Sequence, residues 1–246
     1  MEIWPAIDLR GGNCVRLVQG DYGRETVFGR DPAAMARRWV SDGARFLHLV
    51  DLDGAREGRS ENRDAVAAIC SAVDIPCELG GGIRDEATIR DLLELGLARL
   101  IVGTRALKDP AWFGRMCREF PGRLAVGIDA REGWVATDGW LETSRLAAVD
   151  LANRLLEEPL AAIIYTDIAR DGMMSGPNLE AMAQMRDVVD VPLIASGGVT
   201  TVGDVRQLAA LGMEGCIIGR ALYEGSLTLQ AALAAAGDDQ RSAASK

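Results

Sequence analysis

The stretch that decides how this chain folds is Glu78-Leu79-Gly80-Gly81-Gly82-Ile83-Arg84. It follows an apolar run begun at Pro76 and precedes a helix-like segment opening Asp85-Glu86-Ala87, so a strand hands over to a helix through bare backbone. Without side chains such a backbone comes close to a phosphate. The N–H groups that open the next helix have no internal partner, and they and the helix dipole favour negative charge. Taken singly, the glycines read equally well as a tight turn packing a helix onto a sheet.

A second copy strengthens the anion reading. A shift of 116 carries Pro76, Gly81 and Gly82 onto Pro192, Gly197 and Gly198, and Gly96, Ile101 and Gly103 onto Gly212, Ile217 and Gly219, with no insertion. The same shift carries Asp51 to Asp167, Asn62 to Asn178, Asp74 to Asp190, Arg90 to Arg206 and Leu95 to Leu211. This period is far longer than that of a solenoid, so two half-domains closing one structure are expected.

A chain of 246 residues with 48% hydrophobic content buries a substantial core, and one α/β barrel domain of this length is ordinary. Residues 1–236 read as that single domain and Gly237–Lys246 as a mobile tail. No basic leader or membrane-length apolar run is present, which makes the cytoplasm the expected location and gives no membrane partner. The net charge of −9 argues against a nucleic-acid surface but leaves room for a small anionic ligand, because Arg16, Arg84 and Arg220 flank glycine-rich turns. Cys14, Cys70, Cys77, Cys117 and Cys216 form no CxxC pair and read as reduced, mostly core residues; with one histidine in the chain, zinc ligation is disfavoured.

Short apolar runs alternate with amphipathic ones throughout. The strands expected are Ile3–Ile7, Phe46–Val50, Pro76–Leu79, Leu100–Val102, Leu124–Ile128, Ala162–Tyr165, Pro192–Ala195 and Gly215–Ile218. They are apolar on consecutive positions, as strands buried on both faces are. The helices expected are Pro32–Ser41, Asn62–Ala72, Glu86–Leu95, Ala111–Glu119, Ala147–Glu157, Leu179–Val188, Val202–Leu211 and Leu227–Ala235. Asp31-Pro32 gives a cap and a proline at the first helical position, while Gly43, Gly96 and Gly212 stop their helices. Eight such units predict a closed (β/α)8 TIM barrel built from two duplicated half-barrels.

Chemistry in such a barrel sits where the strands end. In order, the exits carry Asp8, Asp51 with Asp53, Gly80–Gly82, Gly103 with Thr104, Asp129, Thr166 with Asp167, Ser196–Gly198, and Gly219 with Arg220. The glycine exits fall on strands three and four and on strands seven and eight, opposite one another, with Asp8 and Asp129 ending strands one and five between them. Two facing phosphate sites imply a substrate phosphorylated at both ends and reacting in its middle.

Asp8 and Asp129 suit an acid/base pair, since burial and mutual repulsion separate two carboxyl pKa values; each correctly placed group is worth about 10²–10⁴ in rate. For a single aspartate a cap or salt bridge is the commoner role, and it is the opposed exits that favour catalysis. Long loops, Leu9–Arg30 with its short Cys14–Val18 strand and Ala130–Ser144 with Trp134 and Trp140, can close over the mouth. The tryptophans equally well pack the second of them. His48 reads first as a hydrogen-bonded barrel-interior residue and second as a substrate contact. Asp51 and Asp53 fit no metal motif, and Asp51 is expected to orient its own loop.

Pro5-Ala6-Ile7-Asp8-Leu9 with Gly11-Gly12 and Val15-Arg16-Leu17, the run His48–Ala55, Glu78–Arg84, Gly127–Asp129 leading to Gly139-Trp140, and Tyr165-Thr166-Asp167 followed by Arg170-Asp171-Gly172 together resemble the isomerase family of histidine biosynthesis. The likeness runs from Ile3 to about Leu229. It implies an Amadori rearrangement of a phosphoribosylformimino-aminoimidazole-carboxamide ribotide, from aminoaldose to aminoketose, by a half-barrel duplicate with no cofactor and no metal; a monomer is the expected state.

Carried over, the resemblance makes Asp8 the base at C2′ and Asp129 the acid that opens the furanose ring, with Thr166 bonded to the reacting part. It gives one phosphate to Gly81, Gly82, Gly103 and Thr104 and the other to Gly198, Gly219 and Arg220, with Arg16, His48, Arg84 and Trp140 as further substrate contacts. The sister cyclase, which takes ammonia from a glutaminase, shares the aspartates. The Pro-Ala-Ile-Asp-Leu strand and the Gly-Trp of the fifth loop favour the isomerase. A dual-substrate isomerase acting also on phosphoribosylanthranilate, and a non-catalytic barrel that only binds phosphorylated ligands, complete the alternatives.

Overall fold

The computed structural model describes residues 1–237, so the tail expected from Gly237 onward lies, apart from Gly237 itself, outside the described residues. The chain opens with β1 (Glu2–Arg10), a hairpin of β2 (Asn13–Val18) and β3 (Asp21–Gly29), and α1 (Pro32–Ser41). There follow β4 (Leu47–Asp51), α2 (Leu52–Glu57), α3 (Arg63–Ala72), β5 (Cys77–Gly80), α4 (Glu86–Glu94), β6 (Arg99–Val102), α5 (Thr104–Lys108) and α6 (Pro110–Glu119). The second half carries β7 (Leu124–Arg131), a hairpin of β8 (Trp134–Thr137) and β9 (Glu142–Ala147), α7 (Ala148–Leu155), β10 (Ile163–Asp167) and α8 (Leu179–Val188). It ends with β11 (Leu193–Ser196), α9 (Val202–Ala210), β12 (Gly215–Ile218), α10 (Arg220–Glu224) and α11 (Leu229–Ala235).

Eight parallel strands close on themselves in the order β1-β4-β5-β6-β7-β10-β11-β12, the last pairing with β1. This is the (β/α)8 barrel. Side-chain alternation along each strand sorts residues into two cores. Ile3, Ile7, Leu47, Leu79, Val126 and Tyr165 face outward and pack under the helices. Trp4, Ala6, Ile101, Ala125, Ile164 and Ile217 fill the interior.

The same parity fixes the site. One step beyond this inner layer the inward positions are Asp8, Gly80, Gly103, Asp129, Thr166 and Gly219, all of which line one cavity at the mouth.

Two features of the connections differ from expectation. Asp8 and Asp129 do not end their strands: β1 runs on to Arg10 and β7 to Arg131, because each is prolonged by an antiparallel partner, with Asp8 opposite Val15 and Ala130 opposite Val135. The loops Leu9–Arg30 and Ala130–Ser144 are therefore hairpins over the mouth. The helices begin as their caps require. Asp31 accepts from Ala34 N at 2.9 Å, and Thr201 and Asp204 form a capping box.

Candidate active site

The glycine exits repeat in three dimensions. Gly81 and Gly197 have φ of 110° and 94°, and Gly82 and Gly198 have 74° and 84°. A Cβ on Gly81 would fall on the backbone of Asp51, and one on Gly197 on the backbone of Asp167. Glycine is thus demanded by the close approach of the preceding loop as well as by the turn, as the tight-turn reading of these glycines expects, whether or not a ligand also binds there.

The neighbouring loops are themselves braced by the paired residues of the repeat. Asp51 accepts from the amides of Gly54 (2.8 Å), Glu61 (2.8 Å) and Asn62 (3.0 Å) and from Asn62 Nδ2 (2.7 Å). Asp167 accepts from Arg170 N (3.2 Å) and Asn178 Nδ2 (2.6 Å). Asp51 orients its loop, as its place in the sequence suggests.

At β6 and β12 the chain turns into α5 and α10 through Gly103 and Gly219, whose backbones share an uncommon geometry (φ −96°, ψ −104° and φ −106°, ψ −102°). Neither short helix has a side-chain cap, so their first N–H groups are left to water or to a ligand. Thr104 and Arg220 open these helices at the cavity wall. The Thr104 hydroxyl accepts from Asp138 N at 2.9 Å, and Arg220 donates to Gly172 O at 2.7 Å, so both also anchor mouth loops. Arg84, at the rim, lies 3.6 Å from Asp138.

The carboxyl groups sit between these two ends. Asp8 is ion-paired with Arg16, whose Nη1 lies 2.7 Å from Oδ2, and the guanidinium lies over the Tyr223 ring (5.3 Å) and against Gly219. Arg16 Nε is buried without a partner. Across the barrel, Asp129 accepts from Trp140 Nε1 at 2.8 Å and is hydrogen-bonded by Thr166. Burial pushes the Asp129 carboxyl above its ordinary value in spite of those bonds. Trp140 reaches it from a turn in which Asp138, Gly139 and Trp140 all take positive φ (53°, 68° and 70°). Its indole fills the space beside Gly20, where a Cβ would collide with the ring, so the two mouth hairpins meet over the cavity. Trp134, by contrast, is 47% exposed and takes no part in the cavity wall.

One carboxyl in the cavity carries no role in the sequence reading beyond its place in a motif. Asp171 lines the pocket, and burial, opposed by Arg16 and aided by Asp8 and Asp129, pushes its pKa up to about 6. It lies on the irregular segment after β10, four residues past the strand, where strand-exit counting does not reach. His48 projects inward from β4, 8% exposed, and lines the cavity floor.

The family model of histidine biosynthesis proteins matches residues 2–228 of this chain. The chain belongs to that family. Among its histidine-biosynthesis relatives, a protein of Rhodopirellula baltica is 56% identical over 241 residues, 97% of this chain and 95% of the relative. Proteins of a Picosynechococcus species (51% over 240 residues, 96% and 94%) and of Chromohalobacter salexigens (54% over 231 residues, 92% and 93%) are similar to this chain over nearly as much of its length. All three carry the name 1-(5-phosphoribosyl)-5-((5-phosphoribosylamino)methylideneamino)imidazole-4-carboxamide isomerase.

Proposed function

We infer that this chain is an isomerase of histidine biosynthesis that converts the aminoaldose named by its relatives into the corresponding aminoketose by an Amadori rearrangement. The observation that carries the site assignment is the pairing of two uncapped glycine exits on opposite sides of one cavity, with carboxyl groups between them. The exit at Gly81, Gly82, Gly103 and Thr104 takes one phosphate. The exit at Gly198, Gly219 and Arg220 takes the other, and the reacting ribose is thereby spanned across Asp8 and Asp129.

Each step follows from the protonation state of its partner. Asp129, its carboxyl held toward the neutral form by burial, donates a proton to the ring oxygen as the C1′–O bond breaks, and the nitrogen lone pair forms the C1′ iminium. Asp8, a carboxylate paired with Arg16, takes the proton from C2′, and the electrons move into a C1′–C2′ enol amine. Ketonisation returns a proton to C1′ and leaves the carbonyl at C2′. C2′ is oxidised as C1′ is reduced, so no external oxidant enters. Thr166 and Trp140, both bonded to Asp129, hold it in place.

The pKa of about 6 favours a second reading for the acid, in which Asp171 supplies the proton. Asp8→Asn, Asp129→Asn and Asp171→Asn separate the roles. Asp8→Asn and Asp129→Asn are expected to cut turnover by about 10²–10⁴ while ligand binding stays measurable. Near-normal turnover in Asp129→Asn together with loss in Asp171→Asn would transfer the acid role to Asp171.

A further inference from the structure

Beneath the cavity, inside the barrel, lies a charged column that the reaction steps above do not use. Glu78 projects inward from β5 and its side chain is 0% exposed. Its Oε1 lies 2.7 Å from His48 Nδ1, and its Oε2 accepts from Arg99 Nε at 2.7 Å. Arg99 opens β6 at the far end of the barrel, with its guanidinium over the Trp4 ring at 4.9 Å, and Trp4 in turn stacks on Phe46. Of Glu78, His48 and Arg99, only His48 reaches the cavity.

Burial by itself would raise the Glu78 pKa, but the Arg99 guanidinium paired with Oε2 and the hydrogen bond from His48 favour the charged form, and the group lies below its ordinary value. Glu78 is therefore a carboxylate, and a carboxylate only accepts. Nδ1 of His48 must carry the hydrogen of the bond between them, which leaves Nε2 as the ring nitrogen on the cavity side. A buried ion pair is a poor source of stability compared with apolar packing, so a column that ends at the ligand cavity points to orientation of the ring as its use.

We propose that Glu78, braced by Arg99, is a positioning residue that fixes the His48 ring with Nδ1–H on its carboxylate and Nε2 turned into the cavity to accept a hydrogen bond from a hydroxyl of the substrate's sugar chain. The ligand class rests on the isomerase reading; the ring orientation does not. A carboxylate behind a functional imidazole fixes its tautomer and its angle, and loss of such a partner costs about 10- to 100-fold at metal-binding histidines.

His48 is the single histidine of the chain, so nitrogen NMR of its imidazole needs no assignment. In the free wild-type protein the neutral ring is expected as the Nδ1–H tautomer, and its Nε2 resonance is expected to move when the aminoketose product is added. An Nε2–H tautomer, or no movement at saturation, overturns the proposal. Glu78→Gln is expected to lower kcat about 10- to 100-fold, with a smaller change in KM, and to mix the tautomers. In a His48→Gln background it should add no more than about twofold, because Glu78 acts through the ring. Equal losses in both backgrounds would make Glu78 a general brace of the barrel and refute the proposal. The wild-type spectra decide the orientation if Glu78→Gln does not fold. Absence of turnover in the wild type would count against the isomerase reading alone.

Discussion

Asp171 has a consequence for stability that is separate from catalysis. Burial raises its pKa from 3.8 to about 6 in the folded chain, so folding favours the protonated form. The stability this gives is complete below the unfolded-state value and is lost as pH rises through about 6, where the buried group ionises. Asp171→Asn removes that titration. It is expected to be more stable than the wild type by about 1–3 kcal/mol at pH 8 and no more stable at pH 3, as read by thermal melts at both pH values. A variant less stable than the wild type at pH 8 would contradict the burial of charge at this position. Asp8 and Asp129 were legible from sequence because the alternation of a strand places them inward. Asp171 was not, because it stands on an irregular segment whose path over the mouth is set by contacts such as Gln19 N to Asp171 O (3.3 Å), which no local pattern records.

The loop after β4 and the glycine turn after β5 act as one unit, and the loop after β10 and the turn after β11 repeat it. Gly81→Ala must force a Cβ into the Asp51 backbone at φ 110°. A lost left-handed glycine alone costs about 1–2 kcal/mol, and the collision adds to it. Gly81→Ala and Gly197→Ala are each expected to raise KM more than they lower kcat, and steady-state kinetics on the two variants measures this. Asp51→Ala leaves the buried amides of Gly54 and Asn62 without an acceptor, at about 1–3 kcal/mol each before relaxation, and frees the part-buried amide of Glu61; its Tm is expected to fall by roughly 6–12 °C. An unchanged Tm would show that the loop holds without it. The main helices and barrel strands were readable to within a residue or three because periodicity and caps are local signals. β3, β8 and β9 escaped notice: β3 is mostly exposed and β9 has no alternating apolar face, so their pairing comes from the hairpin and not from a core. The short helices α2, α5 and α10, five or six residues each, are too brief to show a period.

At the scale of the whole molecule, the repeat of 116 residues is a rotation of the barrel by half a turn. It sets β5 and β6 opposite β11 and β12, and β1 opposite β7, so the two pairs of glycine exits and the two strand-borne carboxyl groups alternate around one mouth. A ligand long enough to use both exits gains from both, and cutting it to a single phosphate should weaken binding far more than removal of one rim contact would. Inorganic phosphate is expected to inhibit competitively, and inhibition that does not compete with substrate would place the anion sites elsewhere. The repeat itself was plain in the sequence, while closure was an inference from counting eight units and became definite only with the pairing of β7 and β10 and of β12 and β1. Isomerisation of the bisphosphorylated aminoaldose at this mouth is the activity that unites these features. The most direct measurement is an optical assay of the purified chain with that aminoaldose, and separately with phosphoribosylanthranilate and with the aminoketose plus ammonia. Turnover of the aminoaldose to the aminoketose, lost in Asp8→Asn, is the expected result. A folded wild-type protein that leaves the aminoaldose unchanged, or that instead closes the imidazole ring of the aminoketose with ammonia, would contradict it.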